Sequence, residues 1–144
     1  MKPSPRKIAV CVKQAADVTP LVGLATRLEN GRRPEITVLH VVEVPPALPL
    51  DARAKALEAP ALKVEQAIRQ TANRNRGVRL STRILRARDT GRAVLDELKQ
   101  GKFDLAVLGY HHKRSLSELL LGTTAQYLAK HAPCRLLMSI PLKR

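Results

Sequence analysis

Phe103-Asp104-Leu105-Ala106-Val107-Leu108-Gly109 is a short, nearly unbroken apolar run that ends on glycine. Runs of this kind belong to strands covered on both faces, as in a parallel sheet. It is the most apolar of five such runs, which predicts a central strand. Behind it comes Tyr110-His111-His112-Lys113-Arg114-Ser115-Leu116-Ser117-Glu118-Leu119-Leu120-Leu121-Gly122-Thr123-Thr124, a basic loop that returns to glycine and two hydroxyl residues. Glycine directly after a buried strand lets a ligand approach the backbone. Gly122-Thr123 at a helix opening offers free amide hydrogens and a hydroxyl to a phosphate. The segment reads as strand, anion cradle and helix.

The rest of the chain repeats the alternation. Lys7–Val12 is the first strand. Thr19-Pro20 then supplies a cap and an N1 proline for a helix with Leu21, Leu24, Ala25 and Leu28 at helical spacing, closed by Gly31. A second strand is expected at Glu35–Val44, followed by a loop stiffened by Pro45, Pro46 and Pro49. Pro60 marks the start of a helix over Ala61–Asn75, with Leu62, Ala67 and Ile68 inward. Val78–Leu85 is the third strand, with Arg79 and Arg83 protecting an exposed edge. Asp89 or Thr90 caps the next helix, which uses Val94, Leu95 and Leu98 before Gly101. A helix pair is expected within Gly109–Ala132, and Pro133 separates it from the last strand, Cys134–Ile140. Strands separated by helix-length segments imply βαβ units: an α/β fold with an open, doubly wound, Rossmann-like parallel sheet of five strands and helices on both faces.

Composition fits one domain over residues 1–144. Hydrophobic residues make up 44% of the chain and aromatics only 2%, so the core is aliphatic. No run of about 18 uncharged apolar residues occurs, and Met1–Lys7 carries no apolar run of signal-peptide length. A cytoplasmic protein is expected. Cys11 and Cys134 each sit in an apolar run and form neither a C-x-x-C pair nor a metal set. The net charge of +14 favours anionic partners. Three aromatics are too few for a base-stacking platform, so nucleic acid is not the expected partner. No nucleophile–base set stands out, and no carboxylate pair accompanies the glycine loop. The expectation is a protein without catalytic residues.

The run Gly109–Ile140, with Ser-Leu-Ser-Glu-Leu-Leu-Leu-Gly-Thr-Thr and His-Ala-Pro-Cys-Arg-Leu-Leu-Met, resembles the C-terminal half of the universal stress proteins. Lys7–Lys13 and Val38-Leu39-His40-Val41-Val42 are similar to that family's first two strands. Its ATP-binding members carry G-x2-G-x9-G-[ST]. Here Gly109, His112 and Gly122-Thr123 keep both spacings, with histidine at the middle glycine.

The resemblance implies the strand order 3-2-1-4-5, with the first and fourth strands adjoining at the switch point. It implies a non-catalytic regulatory protein of the stress response that binds ATP or another adenine nucleotide, with Mg2+ accompanying only a triphosphate. Adenine would lie beside Val41, and ribose beside Cys11, Val12 and Lys13. The phosphates would lie among Gly109, His111, His112, Lys113, Gly122, Thr123 and Thr124. Lys13 stands where the family's ribose aspartate is expected. A homodimer paired through Arg135–Ile140 is implied too. The alternative is an interaction module that has lost nucleotide binding. Leu39–Leu50 and Ala87–Leu98 resemble the stress domains attached to membrane transporters, so a transporter or another protein would then be the partner.

Overall fold

In the computed structural model, which describes residues 6–28, 33–75, 77–109 and 123–140, five strands run parallel. They are β1 (Lys7–Cys11), β2 (Glu35–Glu43), β3 (Arg79–Ala87), β4 (Leu105–Gly109) and β5 (Arg135–Ser139). Their order is β3-β2-β1-β4-β5, the open doubly wound arrangement expected. The helices are α1 (Val18–Leu28), α2 (Lys55–Arg74), α3 (Thr90–Gly101) and α4 (Thr123–His131). The other loop residues between Gly109 and Thr123 lie outside the described residues, and with them any second helix there.

Side chains alternate across a strand, so each central strand feeds two cores. Ile8 and Val10, Ile36 and Val38, and Leu105 and Val107 pack with Val18, Leu21, Val22 and Ala25 of α1 and with Val64 and Ile68 of α2. Their neighbours Ala9, Leu39, Ala106 and Leu108 pack on the opposite face with Val94, Leu95 and Leu98 of α3 and Leu128 of α4. Burying one such aliphatic side chain stabilises by about 1.5–3 kcal/mol.

Several boundaries differ from the sequence reading. Thr19-Pro20 does not cap α1. A single 3-10 turn at Ala15–Asp17 precedes it, fastened by a reciprocal capping box between Gln14 and Asp17. The Thr19 hydroxyl instead meets Thr71 Oγ1 of α2 at 3.0 Å. α2 begins at Lys55, so Pro60 lies inside it and Ala56 loses the amide donor four residues on. The early turns hold because Glu58 accepts from Arg86, and because Leu57 packs on Val42, Val44 and Ala61.

Leu62 is 64% exposed, not inward. Ala61, Val64, Ile68 and Thr71 form the buried stripe. Residues six apart sit about 120° round a helix from one another, so Leu62 and Ile68 cannot share a face. β3 runs two residues further than Leu85, to Ala87, by pairing with Val42 and Glu43. Phe103 and Asp104 precede β4 rather than joining it. The Asp104 amide donates to the Lys7 carbonyl at 2.8 Å, and its carboxylate accepts from the Lys7 amide at 2.9 Å. Gly101 is the last residue of α3, and the left-handed conformation behind it falls on Lys102, with φ 53°. Glycine is needed at 101 for space, because a Cβ there would stand 2.4 Å from the Phe103 ring.

Candidate functional site

The winding direction reverses between β1 and β4, and ligands of open parallel sheets bind beyond the carboxyl ends of the strands at that point. Cys11 pairs with Leu39 of β2 on one side and Leu108 of β4 on the other. Gly109 is therefore one residue beyond Cys11 on the adjoining strand. Val41 is two residues beyond Leu39 and, by the period of two, shares its face. Cys11 and Val41 both pack on the core under α3 and α4. α4 connects β4 to the parallel β5, so its first residues, Thr123 and Thr124, sit at this same end of the sheet.

The backbone after β1 is held from three directions. The Val12 amide donates to the Leu39 carbonyl at 2.9 Å, continuing the pairing beyond the strand. The Val12 carbonyl accepts from His40 Nδ1 at 3.1 Å, so the buried His40 is a satisfied core histidine, as its position on a strand suggested. The amides of Lys13 and Gln14 each donate to Asp17 Oδ2 at 3.2 Å. Lys13 is exposed, so this end of β1 presents a cation. Asp17 is the nearest acid along the chain, and its carboxylate orders the loop backbone. Burial pushes the Cys11 thiol up to about 12, with the charge of Cys134 adding to the effect. Cys11 therefore stays neutral and leaves the site free of a thiolate that would repel phosphate.

Beyond β2 the chain enters the proline loop, and Arg86 at the end of β3 and Arg88 just after it hold that loop in place. Arg88 Nη1 donates to the carbonyls of Pro45 at 2.6 Å and Leu48 at 2.7 Å. Arg86 donates to the carbonyls of Leu50 and Ala52 and to Glu58. Glu43 at the end of β2 accepts from the Thr90 hydroxyl at 2.5 Å, joining that strand to the start of α3. Sequence reasoning missed these ties. Gln14-Ala-Ala-Asp17 does carry a capping-box spacing that announces the first turn, but nothing in the order of residues announces arginines reaching 34 to 44 positions back along the chain.

The structure thus brings together Cys11, Val12, Lys13, Val41, Gly109, Thr123 and Thr124 at one end of the sheet. His111, His112, Lys113 and Gly122 lie outside the described residues. Among the described residues, no three His, Cys, Asp or Glu side chains gather as metal donors, and no helix is long and apolar enough to cross a membrane.

Residues 5–139 match the model of the universal stress protein family. The chain belongs to that family. Solved universal stress proteins share its fold. The UspA protein of Lactobacillus plantarum is 24% identical, with a TM-score of 0.70 over 95% of this chain and 99% of its own. An Arabidopsis thaliana family member solved with AMP bound is 20% identical, with a TM-score of 0.64 over 96% of this chain and 93% of its own. The Archaeoglobus fulgidus protein in complex with dAMP is 16% identical, with a TM-score of 0.60 over 92% of this chain and 96% of its own. No curated protein sequence matches the chain.

Proposed function

We propose that this universal stress protein is a non-catalytic, adenine-nucleotide-binding regulator of a cytoplasmic stress response. The observation that carries the reading is the meeting of Cys11 and Val41 on one face beside Gly109 and the start of α4, at the switch point of the sheet. The half-buried Val41 offers an apolar wall to a base, and the backbone at Cys11–Lys13 borders the ribose. Lys13 and the first turn of α4 supply positive charge and free amides for phosphate. Relatives of this fold solved with AMP and dAMP support an adenine ligand. A triphosphate would bring Mg2+ through its own oxygens.

These residues hold and shield a nucleotide. Lys13 and the Thr123 and Thr124 hydroxyls donate hydrogen bonds, and no described carboxylate pair is placed to activate water. The test is mass spectrometry of small molecules released when the purified protein is denatured. An adenine nucleotide near one per chain supports the reading. A protein that releases none, and gains none after incubation with ATP, AMP or cyclic AMP, is an interaction module of the transporter-associated kind.

The regulator works as a homodimer in this reading. β5 is the last strand in the order, with one edge unpaired among the described residues, and Ile140 beyond it is 47% exposed. Open edges of this kind invite strand pairing. Ile140→Asp is expected to shift the protein from dimer to monomer by light scattering at micromolar concentration, without loss of helical signal. A monomeric parent protein would refute the pairing.

A further inference from the structure

We infer that the opposite edge of the sheet, β3, is a docking site for an extended acidic segment of a partner protein, which adds there as a sixth strand. β3 is nine residues long and pairs with β2 alone among the described residues. Its outer edge therefore presents unpaired amides and carbonyls, which an extended peptide can satisfy.

The side chains along this edge specify the chemistry of that peptide. On the α3 face the strand shows Arg79, Ser81 and Arg83, all exposed, and then Leu85 and Ala87. Leu85 and Ala87 form one wall of an open groove, with Arg92, Ala93 and Asp96 of α3 among those opposite. Arg83 spends its charge on Glu97 at 2.9 Å. No ion pair among the described residues occupies Arg79 or Arg92. On the other face, Leu80 and Ile84 are half-buried against the core beneath α2 and leave apolar surface beside the edge.

A strand alternating acidic and apolar residues matches both faces at once. Its carboxylates meet Arg79 and Arg92, and its apolar side chains cover Leu80 and Ile84. A nucleic acid matches less well, because it has no peptide amides and carbonyls with which to continue the ladder along the edge. The edge also has no described aromatic on which bases could stack.

The probe is a fluorescein-labelled octapeptide of alternating valine and glutamate, titrated with the intact protein and followed by anisotropy. Saturable binding is expected. A peptide of equal charge with proline at its centre should bind at least tenfold more weakly, since proline cannot complete the ladder. The double variant R79E/R92E should weaken the octapeptide at least tenfold, while R27E/K130E, equal in charge but on α1 and α4, should leave it within threefold. A melting scan of each variant confirms that the fold is kept. Three results would overturn the proposal: no octapeptide binding, equal binding of the proline peptide, or equal loss in both double variants. Tighter binding of a single-stranded oligonucleotide or of phosphatidylserine vesicles, weakened by R79E/R92E, would assign the edge to those polyanions and also overturn it.

Discussion

Leu128→Ala should lower the unfolding free energy by about 2–5 kcal/mol and loosen the nucleotide site at the same time. The described part of α4 has nine residues, and a helix that short is not stable by itself in water. Leu128 is its one fully buried side chain, at 0% exposure within the core of Ala9, Leu39, Leu98, Ala106 and Leu108. Truncating it removes the anchor of α4 and leaves a cavity against β1 and β4. Thr123 and Thr124 at the start of the helix then lose their fixed position, so adenine-nucleotide affinity falls as well. Leu128→Met keeps the volume and should cost less than about 1.5 kcal/mol. Urea denaturation followed by circular dichroism measures both. A loss below about 1 kcal/mol for the alanine variant would mean that α4 is held by something other than this contact.

Val41→Glu should weaken adenine-nucleotide binding by about 100-fold, equivalent to roughly 2.7 kcal/mol. Val41 stands on the same face as Cys11, at the end of β2 where the proline loop begins. A base seated against it would bury its apolar face there. A carboxylate in its place would lose hydration on contact with the base. It would also repel the phosphates. Val41→Ile preserves the apolar wall and should change affinity by less than threefold. Calorimetric titration with AMP distinguishes these outcomes. Affinity within threefold of the parent for Val41→Glu would place the base elsewhere.

The sheet was legible because local pattern and global role agree in it. The runs at Ile8–Val10 and Leu105–Leu108 are buried on both faces, and their continuous apolar character is what a parallel strand between helix layers requires. Asp89 was legible as a cap because its carboxylate acts within its own turn, on the Arg92 amide. The errors have specific causes. α2 begins ahead of Pro60 because long-range ties through Arg86 and Glu58 outweigh a lost local hydrogen bond. The buried stripe of α2 follows the small Ala61 rather than the larger Leu62, since Val64 and Ile68 set its phase.

The candidate site was legible in part for the same reason. Cys11, Val41 and Gly109 could be placed from strand ends and topology alone. The anchors around them could not. His40 acts on Val12, 28 residues away, and Arg88 acts on Pro45, 43 residues away. Such contacts depend on the register between strands, which one sequence does not print.

The central claim is that the folded protein binds an adenine nucleotide at the switch point. A thermal scan with ATP, AMP and cyclic AMP tests it most directly. A nucleotide that binds only the folded state, present at about 100 times its dissociation constant, adds about 2.7 kcal/mol of stability. For a domain of this size that corresponds to an upward shift in Tm of roughly 10 °C. The account predicts such a shift for at least one of the three, and its loss in Val41→Glu. An unchanged melting temperature with all three at millimolar concentration would contradict it.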